Sequence, residues 1–161
     1  MNDEIVEVII SPHPDDEIIG LYERLIKRDN KIIIVYTENI DEIRKKECLS
    51  LKNYLDNISA QFFNASIPPS LLNPKNIFYF PDHIYENHPA HRIQGQKGEE
   101  LARKGLTVIF YSTNMKSPYI HEVKDFKGKR HLLEKVYPSQ KSLWKNDHRY
   151  FLFEGKCSWI F

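Results

Sequence analysis

The segment that decides the fold is residues 5–36, which read IVEVIISPHPDDEIIGLYERLIKRDNKIIIVY. Its first six residues form an apolar, β-branched run that predicts a strand ending at Ser11-Pro12. Apolar residues then recur at helical spacing over 18–26, behind three acidic residues, and this pattern predicts an amphipathic helix. The nearly continuous apolar run at 31–36 predicts a second strand that is covered on both faces. Strand, helix and strand at this spacing predict a βαβ unit with parallel strands.

The alternation of strands and helices continues through the rest of the chain. We expect helices near residues 41–56, 91–104 and 127–137, and strands at 61–63, 77–80, 106–112 and 150–153. No repeat or linker divides the sequence, so residues 1–161 are expected to form a single domain. The predicted fold class is α/β, a three-layer α/β/α sandwich around a mostly parallel, Rossmann-like sheet.

The composition narrows the class of protein. The chain has 161 residues, and its 23 Lys and Arg against 22 Asp and Glu leave a formal net charge of +1. This balance argues against general nucleic-acid binding, which needs a basic surface. The acidic start, and the lack of any apolar stretch near the roughly 20 residues of a membrane span, predict a cytoplasmic protein. The apolar residues 159–161 are expected to pack in the core or at an edge, with a homo-oligomer contact as the alternative.

Residues that carry chemistry cluster between the first strand and the first helix, where residues 11–17 read Ser-Pro-His-Pro-Asp-Asp-Glu. Open α/β sheets bind their ligands at this carboxyl edge. His13 and Asp16 offer the imidazole and carboxylate that suit Zn²⁺. Asp15 beside them offers a base toward metal-bound water. The alternative is that the acidic residues only stabilise the helix N-terminus, which favours negative charge.

A second motif, residues 86–92, contains the one pair of histidines in the sequence that are three positions apart. His91 is expected to be the third protein ligand, which leaves room on the metal for water and substrate. His88 is then expected to lie near the substrate. The alternative is a surface pair of histidines at the start of a helix. The second motif indicates a metal site only because the first motif supplies two further candidate ligands.

The two motifs together resemble the LmbE-like (PIG-L) family of zinc-dependent deacetylases. The family's first signature, a strand followed by His-Pro-Asp-Asp-Glu, is complete at residues 13–17. Its second, His-Pro-Asp-His, is matched at 88–91 except at Ala90. Weaker similarities follow in the same order along the chain, an Arg-x-x-Glu pattern at 44–47 and a late Lys, Leu and Tyr-x-Ser-Gln pattern within 129–140. The single domain is therefore expected to be a deacetylase of this type.

The resemblance implies a hydrolase that removes an acetyl or similar acyl group from an amine, commonly on an N-acetylglucosamine-type sugar. It assigns metal binding to His13, Asp16 and His91, with Zn²⁺ as the ion and another divalent metal such as Fe²⁺ as the alternative. It assigns the role of general base to Asp15. It makes His88 the histidine that stabilises the oxyanion or assists the leaving amine.

The resemblance implies a small N-acetylated molecule as the partner, and the near-neutral net charge likewise favours a small molecule over a polyanion. The resemblance places Arg44 at a substrate-binding position. The alternative for Arg44 is an ordinary solvated arginine on a helix.

Ala90 is the main departure from the family pattern, because it stands where the second motif has an aspartate. Without that carboxylate, His88 is expected to have a lower pKa or another partner, for which Glu86 and Asp82 are candidates by proximity. The departure keeps two alternatives open. One is another amide, ester or phosphoester hydrolase on the same metal site. The other is a catalytically weakened member that binds a glycan, a nucleotide or a protein.

Overall fold

A computed structural model describes residues 4–63 and 67–157 of the chain. Strands and helices alternate along most of this length, as the sequence predicts. The elements are β1 (Val6–Ser11), α1 (Asp16–Leu25), β2 (Lys31–Tyr36), α2 (Glu42–Ser50), β3 (Ile58–Phe62), β4 (Ile77–Pro81), α3 (Pro89–Arg103), β5 (Thr107–Ser112), β6 (His121–Glu122), α4 (Phe126–Val136), α5 (Lys141–Trp144), α6 (Arg149–Leu152) and β7 (Phe153–Cys157).

The sheet has seven strands in the order β3-β2-β1-β4-β5-β7-β6. The first five strands in this order are parallel, β7 runs antiparallel to β5, and β6 runs antiparallel to β7. The chain builds outward from β1 to β3 and then crosses to the other side of β1 to place β4. The carboxyl ends of β1 and β4 therefore flank a topological switch point, where open α/β sheets form their ligand crevice.

Helices cover both faces of the sheet, which confirms the predicted three-layer α/β/α architecture. On one face, Ile9 and Ile34 pack with the buried apolar residues of α1, α2 and α4. On the other face, Val8 and Val35 pack in a cluster that Leu101 of α3 helps to cover. Neighbouring residues of a strand thus serve opposite faces, as the pleat of a strand requires.

Two glycines allow α3 to lie close against the sheet. A side chain at Gly95 would collide with the backbone of Pro81 and His83, and one at Gly98 would collide with the Phe80 ring. Glycine lowers helix propensity, but here it permits a close approach that a larger residue would block. This contact holds the start of α3 beside the carboxyl end of β4.

The strand predicted at residues 150–153 is wrong. Arg149–Leu152 forms the short helix α6, and the last strand is Phe153–Cys157. In this helix Phe151 is buried in the core, and its ring centroid lies 6.5 Å from that of Trp144 of α5. A short apolar run is compatible with either a strand or a buried helix.

The second helix and the following strand are displaced from their predicted bounds. The helix expected near 41–56 ends at Ser50, and a 3₁₀ turn continues over Leu51–Asn53. β3 begins at Ile58 because that residue is buried and pairs with Ile32 of β2. The short elements β6 and α5 have no counterpart in the sequence prediction.

Within the described part of the chain, no helix is both long and apolar enough to cross a bilayer. Residues 159–161, with the packing or oligomer contact expected of them, lie outside the described residues.

Candidate metal centre

The fold brings the two sequence motifs together at the switch point. The first motif follows β1 and enters α1, while the second follows β4 and enters α3. β1 and β4 are adjacent and parallel, so their carboxyl ends meet at the same edge of the sheet. As a result, the rings of His13 and His91 come into contact although 78 positions separate them.

Three side-chain atoms converge on one point in this crevice. Nδ1 of His13 lies 3.0 Å from Nε2 of His91, and that nitrogen lies 3.0 Å from Oδ2 of Asp16. Nδ1 of His13 lies 3.4 Å from the same carboxylate oxygen. Ligand atoms arranged tetrahedrally about 2.0–2.1 Å from Zn²⁺ are about 3.3–3.4 Å apart. The donor set and its spacing therefore fit a single small divalent cation.

Asp16 is held in place by its own loop. Its Oδ2 accepts the backbone N–H of His13 at 2.8 Å. Burial opposes ionisation of this carboxyl, but His91 and the hydrogen bonds from both histidines hold the pKa of Asp16 well below its usual range. The side chain is therefore a carboxylate, the form that binds a metal.

Asp15 has the most unusual environment in the motif. Its φ of 97° lies in the left-handed region, which is unfavourable for a residue other than glycine. The side chain is buried, its Oδ2 has no hydrogen-bond partner, and it makes no capping hydrogen bond to α1. Burial, together with the neighbouring charges of Asp16 and Glu17, raises the pKa of Asp15 well above its usual value. These properties contradict a role limited to stabilising the helix N-terminus.

A buried carboxyl beneath the loop fixes the shape of the motif. Glu17 accepts hydrogen bonds from the hydroxyls of Tyr36 and Tyr137, and its other oxygen lies 2.9 Å from Ser11 Oγ. Ser11 Oγ also lies 2.7 Å from the carbonyl oxygen of His13. A hydroxyl has one proton, so Ser11 satisfies both contacts when Glu17 is protonated. Burial raises the pKa of Glu17 to about 7, which favours that arrangement.

Nδ1 of His91 faces Glu86, which the sequence analysis offered as a partner for His88. Nδ1 of His91 lies 3.3 Å from Oε2 of Glu86 and 3.4 Å from Oγ1 of Thr113. Burial lowers the pKa of His91, but Asp16 and Glu86 outweigh it and raise that pKa to about 10. The same field that stabilises a proton at Nε2 also stabilises a metal cation there.

His88 stands at the mouth of the crevice as the N-cap residue of α3. Its Nδ1 accepts the backbone N–H of Ala90 at 3.2 Å, and its ring centroid lies 4.5 Å from that of His13. Burial and the neighbouring rings of His13 and His91 lower the pKa of His88, as the loss of the motif aspartate suggested. With Nδ1 as an acceptor, the neutral ring carries its proton on Nε2 and is a hydrogen-bond donor.

Neither carboxylate proposed as a new partner for His88 plays that part among the described residues. Glu86 faces His91. Asp82 accepts hydrogen bonds from the hydroxyl of Tyr119 and from the backbone N–H of Ile84, the latter at 2.6 Å. Of the two outcomes expected for His88, the lowered pKa is therefore the one observed, and neither Glu86 nor Asp82 is its partner.

Arg44 lies against the first motif and not in open solvent. It is half-buried, and its Nη2 donates to the carbonyl oxygen of Pro14 at 3.0 Å. Its Nε is buried without a hydrogen-bond partner. The guanidinium is close enough to Asp15 to lower the pKa of that carboxyl against the larger effect of burial.

A cavity of about 320 Å³ opens over these groups. It is lined by His13, Asp15, Asp16, Ile19, Arg44, His88, His91, Thr113, Gln140, Leu143 and Tyr150. A second cavity of about 230 Å³ adjoins it and shares His88, Thr113 and Tyr150 as walls. Sequence reasoning missed Thr113 and Tyr150. Thr113 follows β5, whose carboxyl end lies at the same sheet edge as the two motifs, so the strand order would have indicated it. Tyr150 was missed because it was predicted to lie in a strand.

Comparison with known proteins supports the fold. No protein-family model and no curated protein matches the chain. Among solved structures, the crystal structure of the conserved protein TT1542 from Thermus thermophilus is similar, with a TM-score of 0.65 at 16% sequence identity. The match covers 96% of this chain and 94% of that chain. It shows that the two chains share the α/β fold over nearly their whole length.

Proposed function

We propose that the protein is a metal-dependent hydrolase of the LmbE-like (PIG-L) type that removes an N-acetyl or related acyl group from a small, amino-sugar-containing molecule. The observation that supports this most is the combination of two features in one cavity. The first is the set of three donors from His13, Asp16 and His91, 3.0–3.4 Å apart. The second is the strained, buried carboxylate of Asp15 with a free oxygen. A binding module would not need such a base.

His13, Asp16 and His91 would hold the ion, with Zn²⁺ as the first candidate and Fe²⁺ as the alternative. When bound, such an ion supplies Lewis acidity and lowers the pKa of a bound water to about 7. Two neutral imidazoles and one carboxylate are a donor set that zinc hydrolases use, and they leave further coordination positions for water and substrate.

Asp15 takes the proton of the attacking water at its free Oδ2. Burial raises the pKa of Asp15 above its usual value, which makes its carboxylate a stronger proton acceptor than an ordinary one. The burial that raises this pKa also keeps competing water from the carboxylate. Once the amide is attacked, Asp15 returns the proton to the departing amine.

His88 stabilises the charge that develops on the carbonyl oxygen. Its Nε2 carries the proton of the neutral ring, since Nδ1 accepts from the Ala90 backbone. A donor that is already fixed by a helix N-terminus requires little reorganisation during the reaction. Arg44, with an unpaired Nε at the edge of the same cavity, binds a polar group of the substrate.

The adjoining cavity accommodates the part of the substrate that lies beyond the amide. Its lining is mostly polar and includes Asn87, Asn114 and Lys116, the lysine exposed. Tyr150 forms part of the wall between the two cavities. A hydroxyl-rich sugar fits such a lining better than an apolar group.

The proposal is tested by acetate release from a panel of N-acetylated amino sugars and sugar nucleotides, with metal content measured on the same preparations. We expect hydrolysis by zinc- or iron-loaded protein, and loss of both metal and activity in His13→Ala. A protein that binds no divalent ion would contradict the proposal. A metal-loaded protein that hydrolyses esters or phosphoesters but no amide would favour the alternative hydrolase.

A further inference from the structure

His91 has two ring nitrogens, and only Nε2 faces the candidate metal site. The other ring nitrogen, Nδ1, lies 3.3 Å from Oε2 of Glu86, a residue outside both the ligand set and the aligned motif positions. We propose that Glu86 is a positioning residue, which holds His91 in the orientation and tautomeric form that metal binding requires. This inference rests on the proposed function, because it assumes the metal centre formed by His13, Asp16 and His91.

Glu86 is itself fixed by the end of a neighbouring strand. Its side chain is buried, with 4% of its surface exposed. The backbone N–H of Thr113 donates to Oε1 of Glu86, and Thr113 Oγ1 lies 3.1 Å and 3.2 Å from the two carboxylate oxygens. Asn114 also donates to the carbonyl oxygen of Tyr85 at 2.6 Å. The loops after β4 and β5 are therefore joined at two adjacent points, and the carboxylate has little freedom to turn away.

The contact determines which nitrogen of His91 bears the proton. An ionised carboxylate only accepts hydrogen bonds, so the nitrogen facing Glu86 must be protonated. A neutral ring with its proton on Nδ1 has its lone pair on Nε2. That nitrogen faces Asp16 and His13, both 3.0 Å away. Glu86 thus selects the tautomer that can bind a metal.

Glu86 does not take the place of the aspartate that the second motif lacks at Ala90. The motif aspartate is absent, and a carboxylate four positions earlier in the sequence serves a different histidine. Among the described residues, Glu86 lies beside the ligand His91, and no hydrogen bond or ion pair joins a carboxylate to His88. Outer carboxylates of this kind raise the basicity of a metal-binding histidine and fix its ring.

The chain offers a matched control on α3. Glu99 lies 2.8 Å from Nε2 of His83 and pairs with Arg103, and none of the three lines the cavity. Glu86→Gln and Glu99→Gln both replace a carboxylate beside a histidine with a neutral side chain of the same size. Only the first is expected to affect the metal centre.

The experiment is a measurement of Zn²⁺ affinity by competition with a chelator, which does not depend on hydrolytic activity. We expect Glu86→Gln to weaken Zn²⁺ binding by about 10–100-fold and Glu99→Gln to leave it unchanged. Equal affinity in wild type and Glu86→Gln would overturn the inference while leaving the proposed function intact. An equal loss in both variants would also overturn it. Wild-type protein that binds neither Zn²⁺ nor Fe²⁺ would overturn the proposed function and this inference together.

A second measurement needs no variant and remains informative if Glu86→Gln does not fold. Nitrogen-15 NMR of zinc-loaded wild-type protein reports which imidazole nitrogen of His91 is protonated. We expect a protonated Nδ1 and a metal-bound Nε2. The reverse assignment, or an Nδ1 that exchanges freely with water, would overturn the positioning role.

Discussion

Glu7 and Asp15 are buried carboxylates near opposite ends of β1, and they differ in how fully their oxygens are hydrogen-bonded. Toward the amino end, Glu7 accepts hydrogen bonds from Arg24 Nε at 2.7 Å, Tyr79 Oη at 2.7 Å and Asn30 Nδ2 at 3.1 Å. Beyond the carboxyl end, Asp15 is equally hidden but has a free oxygen and a left-handed backbone. The first charge is satisfied within the protein, whereas the second retains bonding capacity for something else.

This difference in hydrogen bonding indicates a structural role for Glu7 and is consistent with the functional role proposed for Asp15. Both carboxylate oxygens of Glu7 accept hydrogen bonds, and removing one partner of a buried ion pair is costly. A buried carboxylate with raised pKa and local strain persists only where the surrounding structure imposes it, and such strain concentrates at functional sites. The proposed chemistry therefore lies at the carboxyl edge of the sheet, and the hydrogen-bonded network of Glu7 lies toward the amino edge.

The largest effect is expected from Asp15→Asn. Asparagine has nearly the same shape but cannot take a proton from water, so kcat for amide hydrolysis should fall by about 10²–10⁴-fold. Asparagine tolerates the left-handed region comparatively well, so the free energy of unfolding should not decrease. Steady-state kinetics and urea denaturation check these two quantities, and metal analysis checks that the ion is retained. Unchanged kcat would remove Asp15 as the base.

Glu7→Ala should produce the complementary result at the other end of β1. The substitution leaves Arg24 buried without its main partner, and the free energy of unfolding should fall by about 3–5 kcal/mol. Zn²⁺ affinity of the folded fraction should not change, because the network contacts no member of the metal centre. Glu7→Gln is the control that keeps most of the volume. A variant as stable as wild type would contradict the structural assignment.

Zinc should stabilise the protein only by binding at the site formed by His13, Asp16 and His91. At a free Zn²⁺ concentration about 100-fold above Kd, the free energy of unfolding should rise by about 2.7 kcal/mol. The gain should disappear in His13→Ala and persist in Glu99→Gln, since Glu99 lies outside the cavity. Denaturation with and without Zn²⁺, followed by addition of a chelator, measures it. Equal stabilisation of His13→Ala would place the bound zinc elsewhere.

The smallest effect is expected from restoring the motif aspartate with Ala90→Asp. Position 90 lies in the first turn of α3, where a negative charge adds about 0.3–1 kcal/mol of stability. His88 should gain little, because its Nδ1 already accepts the backbone N–H of residue 90. A large rise in kcat would show instead that His88 is poorly oriented in the natural chain.

Much of the fold could be predicted from local pattern. The bounds of β2 agree with the prediction, and those of β1 differ from it by one residue at each end, since unbroken β-branched runs leave few alternatives. The error at 150–153 has the opposite origin. That run is apolar enough for a strand, but it forms α6, in which Phe151 is buried in the core beside Trp144.

The candidate site also has a part that the sequence predicts and a part that it does not. The sequence by itself determined the first motif, the donor types and the strand-to-helix setting of Asp15, because these are local properties of contiguous residues. Only the tertiary structure decided that Glu86 supports His91, since that contact depends on Thr113 at the end of β5. Strand order brings loops from distant parts of the chain to one sheet edge, and the spacing of residues along the chain does not encode which side chains meet there.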